Sequence, residues 1–284
     1  MDKSELEARL LENPDQWVRR EIAKSKNTPS KVLQMLAYDK LKWVRLEVAK
    51  NPNAPATALE YLAADEDNEI CREVAFNHNT PVKVLEILAT HENIKIRQAI
   101  AFNFINPNPN TPVALLEQLA TDENFEVYWH VLYNPKTPVS LLFEAFAKHK
   151  QDDGVRHALA SNPSTPATIL DELANCENEG WAILQEIADN PNTSLATLEE
   201  LATSEENESS VREYAIFNPN LITISLLEQL ATHEDWEIRR SVAANPNIPE
   251  TLFQQLANDE VEEIRSHALA IRIRNSQNII NEII

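Results

Sequence analysis

A period runs through this chain from end to end, and it constrains the fold more than any other feature. The stretch Val44–Glu69, VRLEVAKNPNAPATALEYLAADEDNE, returns with its first aliphatic residue at Val18, Val44, Ile70, Ile96, Val127, Val155, Ile183, Val211, Ile238 and Ile264. The spacings are 26, 26, 26, 31, 28, 28, 28, 27 and 26 residues. A fixed period of this length marks a solenoid, in which no unit can bury its apolar face alone and each stacks on its neighbours.

Numbered from that first residue, position 1 is Val or Ile, position 2 usually Arg, and positions 5 and 6 an aliphatic residue and Ala. Position 8 is Asn, 9 often Pro, 11 Thr or Ala, 12 Pro, 16 and 19 Leu, and 20 Ala. Val44 and Val48 share a face at i,i+4, which predicts a short helix. Asn51-Pro52 ends it, because proline has no N–H and disfavours helix in the residue before it. In Thr28–Ala37, Thr28 is expected to cap a second helix, with Pro29 in the first turn and Val32, Leu33, Leu36 and Ala37 on one face. Helices this short are marginal in water, so stacking must supply the core.

Asn holds position 8 in eight successive units: Asn51, Asn77, Asn103, Asn134, Asn162, Asn190, Asn218 and Asn245. Asn tolerates left-handed backbone and bonds neighbouring backbone groups, so the column reads as a structural ladder of turns. The competing reading is a row of ligand-binding amides. The expected organisation is a capping half-repeat over 1–17, nine tandem repeats forming one solenoid domain over 18–263, and a C-terminal capping repeat over 264–284. Ser4 with Glu7 forms a capping-box pattern in the first segment. The isoleucines of 278–284 are expected to fold back over the last unit, or to form a dimer contact.

Much chemistry finds no footing here. Two glycines, Gly154 and Gly180, leave no phosphate-cradling loop. Cys71 and Cys176 form no CxxC, and two thiols in a chain of this length point to a reducing, cytoplasmic setting. The opening residues MDKSELEARL lack a signal peptide's apolar core, and no apolar run approaches the roughly 20 residues of a membrane span. The seven histidines show no metal-ligand spacing. His91 and His233 fall at equivalent Thr-His-Glu positions, so repetition explains them. The acidic loops Asp65-Glu66-Asp67, Asp152-Asp153, Glu205-Glu206, Glu234-Asp235 and Asp259-Glu260 lack EF-hand spacing and its glycine. They suit the positive ends of the helices that follow, and the Arg at position 2 can pair with them. No metal, cofactor or catalytic residue is expected.

The net charge of −20 is uneven. Residues 151–284 hold 7 Arg, no Lys and 24 acids, a net −17, whereas 18–50 hold nine basic residues against three acids. Acids serve solubility; they also steer a basic partner, or a second copy head to tail. Binding to duplex nucleic acid is disfavoured, since it relies on neutralising phosphates.

Two irregularities stand out. In the unit at Ile96 the Asn-Pro turn is replaced by Asn103-Phe104-Ile105-Asn106-Pro107-Asn108-Pro109-Asn110, which lengthens the unit by five residues, and insertions in solenoids emerge as loops on one face. Position 7, which follows the buried pair, is Phe76, Phe102 and Tyr133 in three successive units, with Trp129 one turn from Tyr133. Phe76, Phe102, Phe104, Trp129 and Tyr133 are therefore the candidate binding residues, as an exposed aromatic stripe beside the insertion. The opposing reading packs them under the loop.

The unit V-R-x-x-V-A-x-N-P-x-T-P-x-x-x-L-x-x-L-A-x-D/E resembles the leucine-rich repeat variant family over nearly the whole chain. Val44–Leu62, 155–174 and 238–257 carry the likeness most closely. The resemblance implies an all-α, right-handed superhelical solenoid close to HEAT and armadillo folds, without strands. It also implies alternating α- and 3₁₀-helices, the Thr-Pro half being α and the Val-Arg half tighter. Family members can carry an N-terminal cysteine cluster for an iron–sulfur centre; residues 1–17 contain no Cys, so that cofactor does not carry over. The fold fixes no activity. The expected function is a non-enzymatic scaffold whose curved surface holds another protein or an extended peptide, one of basic character given the charge. The alternatives are a solenoid that handles a nucleic acid or chromophore, and self-assembly through charged ends.

Overall fold

A computed structural model of the chain describes residues 15–101, 111–176 and 180–283. By contact the chain divides into two compact units, 1–141 and 142–284. The first contains α1 (Gln16–Lys24), α2 (Ser30–Leu36), α3 (Lys42–Lys50), α4 (Ala56–Leu62), α5 (Asn68–Phe76), α6 (Val82–Leu88), α7 (Ile94–Ala101), α8 (Val113–Leu119) and α9 (Phe125–Tyr133). Helix α10 (Val139–His149) straddles the division. The second contains α11 (Asp153–Ser161), α12 (Ala167–Ala174), α13 (Trp181–Asp189), α14 (Leu195–Thr203), α15 (Ser209–Phe217), α16 (Ile224–Leu230), α17 (Trp236–Ala244), α18 (Glu250–Leu256) and α19 (Glu262–Ile283). Among the described residues there are no strands. Odd-numbered helices are the Val-Arg halves of the repeats and even-numbered helices the Thr-Pro halves.

Within each unit every odd-numbered helix packs on the next: α1 on α3, α3 on α5, α5 on α7 and α7 on α9, then α11 on α13 and so on to α19. Positions 1, 5 and 6 point inward, as Val44, Val48 and Ala49 do, each fully buried. They meet the inward face of the even row, where Leu59 and Leu62 are fully buried too. Burying one such Leu contributes about 1.5–3 kcal/mol, and a row of them stabilises what no single repeat could. Each unit is a solenoid of helical repeats.

Both halves of the repeat are α-helical. The tight geometry implied for the Val-Arg half is confined to end turns, where Val44 N–H donates to Leu41 O (3.0 Å) and Asn51 N–H to Val48 O (3.0 Å). The last repeat departs from expectation. Its C-terminal residues do not turn back; α19 runs unbroken over 22 residues. The reason is in the sequence: Ile271-Arg272 stands where six of the nine other units have Asn-Pro and eight have Asn, so the usual stop signal is missing. The Ser4–Glu7 capping box lies outside the described residues.

The Asn at position 8 ties the repeats together. Asn77 Nδ2 donates to Ala49 O (2.7 Å) and Asn51 O (2.9 Å) of the repeat before it. Asn190 does the same to Ala160 O (2.6 Å) and Asn162 O (2.9 Å), and Asn218 to Ala188 O (2.8 Å) and Asn190 O (3.0 Å). Each Oδ1 accepts the N–H two residues on, as from Asn79 (3.0 Å) and Asn192 (3.0 Å). The backbone at Asn51 is extended (φ −72°, ψ 125°) and not left-handed. The amides are therefore fully engaged in the ladder rather than presented to a ligand. An outer rail runs beside them: Asn192 Nδ2 donates to Pro163 O (2.8 Å) and Asn220 Nδ2 to Pro191 O (2.6 Å). Thr28 does not cap the second helix. Its Oγ1 donates backwards to Ile22 O (2.5 Å), as Thr165 does to Leu159 O (2.6 Å), and Pro29 itself is the N-cap residue of α2.

The acidic loops form a second ladder. Arg45 Nε and Nη2 grip Asp65 of the next loop (2.6 and 3.0 Å), while its Nη1 reaches Asp39 O of its own loop (2.9 Å). Arg97 with Asp122 and Arg239 with Asp259 repeat the clasp. Asp67, Asp152 and Asp235 cap α5, α11 and α17. Two rungs are defective because His replaces Asp. His233 Nδ1 accepts the Asp235 N–H (3.0 Å), which leaves the neutral ring's proton on Nε2, facing Arg212 Nη2 at 3.2 Å. Two donors meet there. Arg72, opposite His91, turns to Glu73 (3.2 Å), and its Nε is buried with no acceptor among the described residues.

Three outcomes follow from these ladders. Asn190→Ala strands two buried carbonyls and should cost about 3 kcal/mol, whereas Asn192→Ala on the outer rail should cost about 1 kcal/mol or less; equal losses in urea melts contradict the ladder. The hydrogen bond from Arg239 leads in holding the Asp259 carboxyl below the usual range, burial opposes, and the Val261 N–H and the Arg239 charge assist. A depressed folded-state pKa gives stability that is present above the unfolded value and lost as pH falls through the folded one. Asp259→Asn should therefore lose about 1.5–3 kcal/mol at neutral pH, with the gap to the parent closing below about pH 4. His91→Asp and His233→Asp should each complete a rung and add about 1 kcal/mol, read as a rise in Tm; a fall would refute the defective-rung reading.

Candidate functional site

Once the ladders and core have taken their share of each repeat, positions 3, 4 and 7 of the odd row remain. They lie on one helix face because position 7 follows position 3 by one turn. Phe76 at position 7 of α5 is 39% exposed. Tyr133, its equivalent on α9, is half-buried, and so is Trp129 at position 3. Trp129 packs edge-on against Phe125 (5.5 Å between centroids), which stacks on Tyr128 (5.3 Å). The Trp129 Nε1 is buried with no acceptor among the described residues. Phe102, Phe104 and the insertion they flank lie outside the described residues. The structure thus brings Trp129 into an aromatic cluster on α9 that also contains Phe125 and Tyr128, while Phe76 stands on α5, two odd helices away.

The equivalent helix face within the second unit has different chemistry. On α11 and α13, Ser161 Oγ donates to Glu186 Oε2 (3.0 Å), and Asp189 is exposed beside Glu186. Partial burial, then the Glu186 charge, push the Asp189 carboxyl above its ordinary range. On α15 and α17, Arg240 Nη2 donates to Glu213 Oε2 (2.6 Å) and its guanidinium lies 5.2 Å from the Trp236 ring centre. Burial also raises the Glu213 carboxyl, although the Arg240 charge and hydrogen bond act against the shift. Tyr214 and Phe217 are exposed beside this pair.

The even row has a surface that sequence reasoning missed. Met35, Tyr61 and Ile87 occupy one repeat position on α2, α4 and α6 and are all exposed; Tyr38 stacks on Tyr61 at 4.1 Å. The signal was present in that column, but an apolar residue beside the Leu positions reads as core until the outward face is known. The hollow beside the two tyrosines is lined by Arg45 and Asp65, both committed to the ladder. Among the described residues no three His, Cys, Asp or Glu side chains converge to hold a metal ion, and no helix is long and apolar enough to cross a membrane.

No family model and no curated protein matches the chain. Solved structures do. One is a leucine-rich repeat variant with a novel repetitive protein structural motif, 21% identical over 80% of this chain and 86% of that one, with a TM-score of 0.48. An engineered protein is 17% identical over 95% and 98% of the two chains, with a TM-score of 0.35. A designed armadillo repeat protein in complex with the peptide (KR)4 is 16% identical over 92% and 94%, with a TM-score of 0.23. These are likenesses of repeat proteins; the two-helix period traced through both units is what makes this chain a helical-repeat protein.

Proposed function

We propose that this chain is a non-enzymatic scaffold that holds another protein or an extended peptide on the odd-row face of its stacked helices. One observation carries the reading: the residues that repeat are consumed by core and ladders, while positions 3, 4 and 7 of the odd row vary from repeat to repeat and include exposed aromatic side chains, Phe76 in the first unit and Tyr214 and Phe217 in the second. That division of labour is what a binding solenoid needs, because a constant frame presents side chains that can differ from repeat to repeat. The aromatic members supply contact area, since large rings desolvated at a contact dominate binding energy. They are Phe76, Trp129 and Tyr133, with Phe102 and Phe104 named from sequence, together with Tyr214 and Phe217. A cytoplasmic setting belongs to the same proposal. Cys71 is a free, buried thiol whose Sγ has the Leu62, Ala63 and Asp65 carbonyls within reach of its one S–H, Asp65 O nearest at 3.3 Å.

Selection from a random-peptide display library against the full chain tests this. Enriched peptides should lose at least about tenfold in affinity with Phe76→Ala or Tyr133→Ala, while Tyr61→Ala on the even row leaves them unchanged. Circular dichroism checks that helicity is kept. Enriched peptides that ignore the odd-row changes and respond to Tyr61→Ala would move the site to the other row; no enrichment would sink the scaffold reading.

A further inference from the structure

The odd-row face of the second unit contains a built recess, and its shape follows from one column of the repeat. Position 7 is Phe217 on α15 but Ala244 on α17; position 4 is Tyr214 on α15, Ser241 on α17 and His267 on α19. Small residues on the middle helix between large ones on its neighbours leave a notch of about 390 Å³. Tyr214 and Phe217 form one wall, Ser241 and Ala244 the floor, and His267 the far wall. Ser241 Oγ is turned inward to Glu237 O (3.0 Å), so the floor offers little polarity. The Glu213–Arg240 pair closes one rim.

One repeat back, Glu186 and Asp189 hold the places that Tyr214 and Phe217 hold on α15. The Ser161 hydroxyl meets Glu186, but among the described residues no cation is bonded to Asp189, and residues 151–284 carry a net −17. Packed helices stand about 8–10 Å apart, and an extended chain advances about 3.3 Å per residue. The notch floor on α17 is two such spacings from α13, so a strand of peptide crossing from α13 to the notch spans about five or six residues.

Resting on the scaffold reading above, we propose that this face binds an extended peptide segment with a basic residue about five or six positions from an aromatic side chain. The aromatic ring enters the notch between Phe217 and His267, and the cation lies against Asp189 and Glu186. Charge complementarity selects the basic residue; the apolar notch selects the ring. The raised carboxyls of Asp189 and Glu213 agree with a face that has surplus negative charge in partly desolvated surroundings.

The test uses the full chain and a fluorescein-labelled Gly/Ser nonapeptide with two arginines, the second about five residues ahead of a single tryptophan. Fluorescence anisotropy should show saturable binding, weakened about tenfold by Ala244→Leu, which fills the notch, and about threefold by Asp189→Asn. Position 7 tolerates large side chains in other repeats, so Ala244→Leu should fold, and its thermal melt verifies that. Replacing tryptophan by glycine should cost as much as Ala244→Leu, and moving the arginines next to the tryptophan should cost as much as Asp189→Asn. Equal binding by parent and Ala244→Leu, or by peptides with and without tryptophan, overturns the proposal as mere charge attraction. Salt-sensitive self-association in sedimentation, abolished by Ala244→Leu with no peptide bound, overturns it in favour of a second copy. Either failure leaves the first-unit tests at Phe76 and Tyr133 untouched, so the two readings fall separately.

Discussion

The buried Asn amide at position 8 is the interaction on which the rest of the structure depends. Two rows of helices meet at the Asn-Pro turn, and the Asn that opens it is inside the stack: Asn51, Asn134, Asn190, Asn218 and Asn245 are almost wholly buried. Buried turns expose carbonyls that water cannot reach, and each must find a donor. One Asn side chain supplies it twice, to two carbonyls of the preceding repeat, and uses its oxygen to close its own turn. A hydrophobic residue of equal size could fill the space but could not satisfy the carbonyls. Asn is thus fixed by accounting rather than by shape, and the period of the sequence follows from it.

A frame satisfied by its own repeating residues leaves the remaining ones free to vary. The Arg–Asp clasp shows how far this goes, because Asp65, Asp122 and Asp259, in acidic loops that could be taken for a cation site or a solubilising fringe, join one repeat to the next. These pairs are shielded, each side chain being about a tenth exposed or less, so they matter more than ordinary surface ion pairs. What then differs along the chain is the odd-row face: aromatic on α5 and α9, acidic on α13, and aromatic with a notch across α15 to α19. Chemistry is written on this face repeat by repeat.

Sequence alone gave access to this architecture because a repeat states the same rule many times. Val44 and Val48 define a helix once; ten such pairs define a stack. The surface position of Phe76 followed from the buried pair before it. What stayed hidden depends on contacts between distant residues. Whether Thr28 caps the helix after it or the one before it is undecidable locally, since its hydroxyl suits both until the turn brings Ile22 O within reach. The partner of Arg45 lies in the next loop, a register that stacking alone sets. The notch at Ala244 needs the knowledge that position 7 columns align across repeats on an open face. The length of α19, by contrast, was open to reading in the missing Asn-Pro and was not drawn from it.

Hydrogen–deuterium exchange of the free full-length chain, resolved by peptide mass spectrometry, tests the central claim most directly. The Asn-Pro turns are loops by backbone shape, and exposed loops exchange fast. If buried Asn side chains hold them, the N–H groups at positions 10 and 11, such as Asn79 and Thr80 or Asn192 and Thr193, will be protected nearly as well as the helices on either side. Turn amides that exchange at loop rates while the helices stay protected would show that the repeats are joined by helix packing alone, and the ladder account would be wrong.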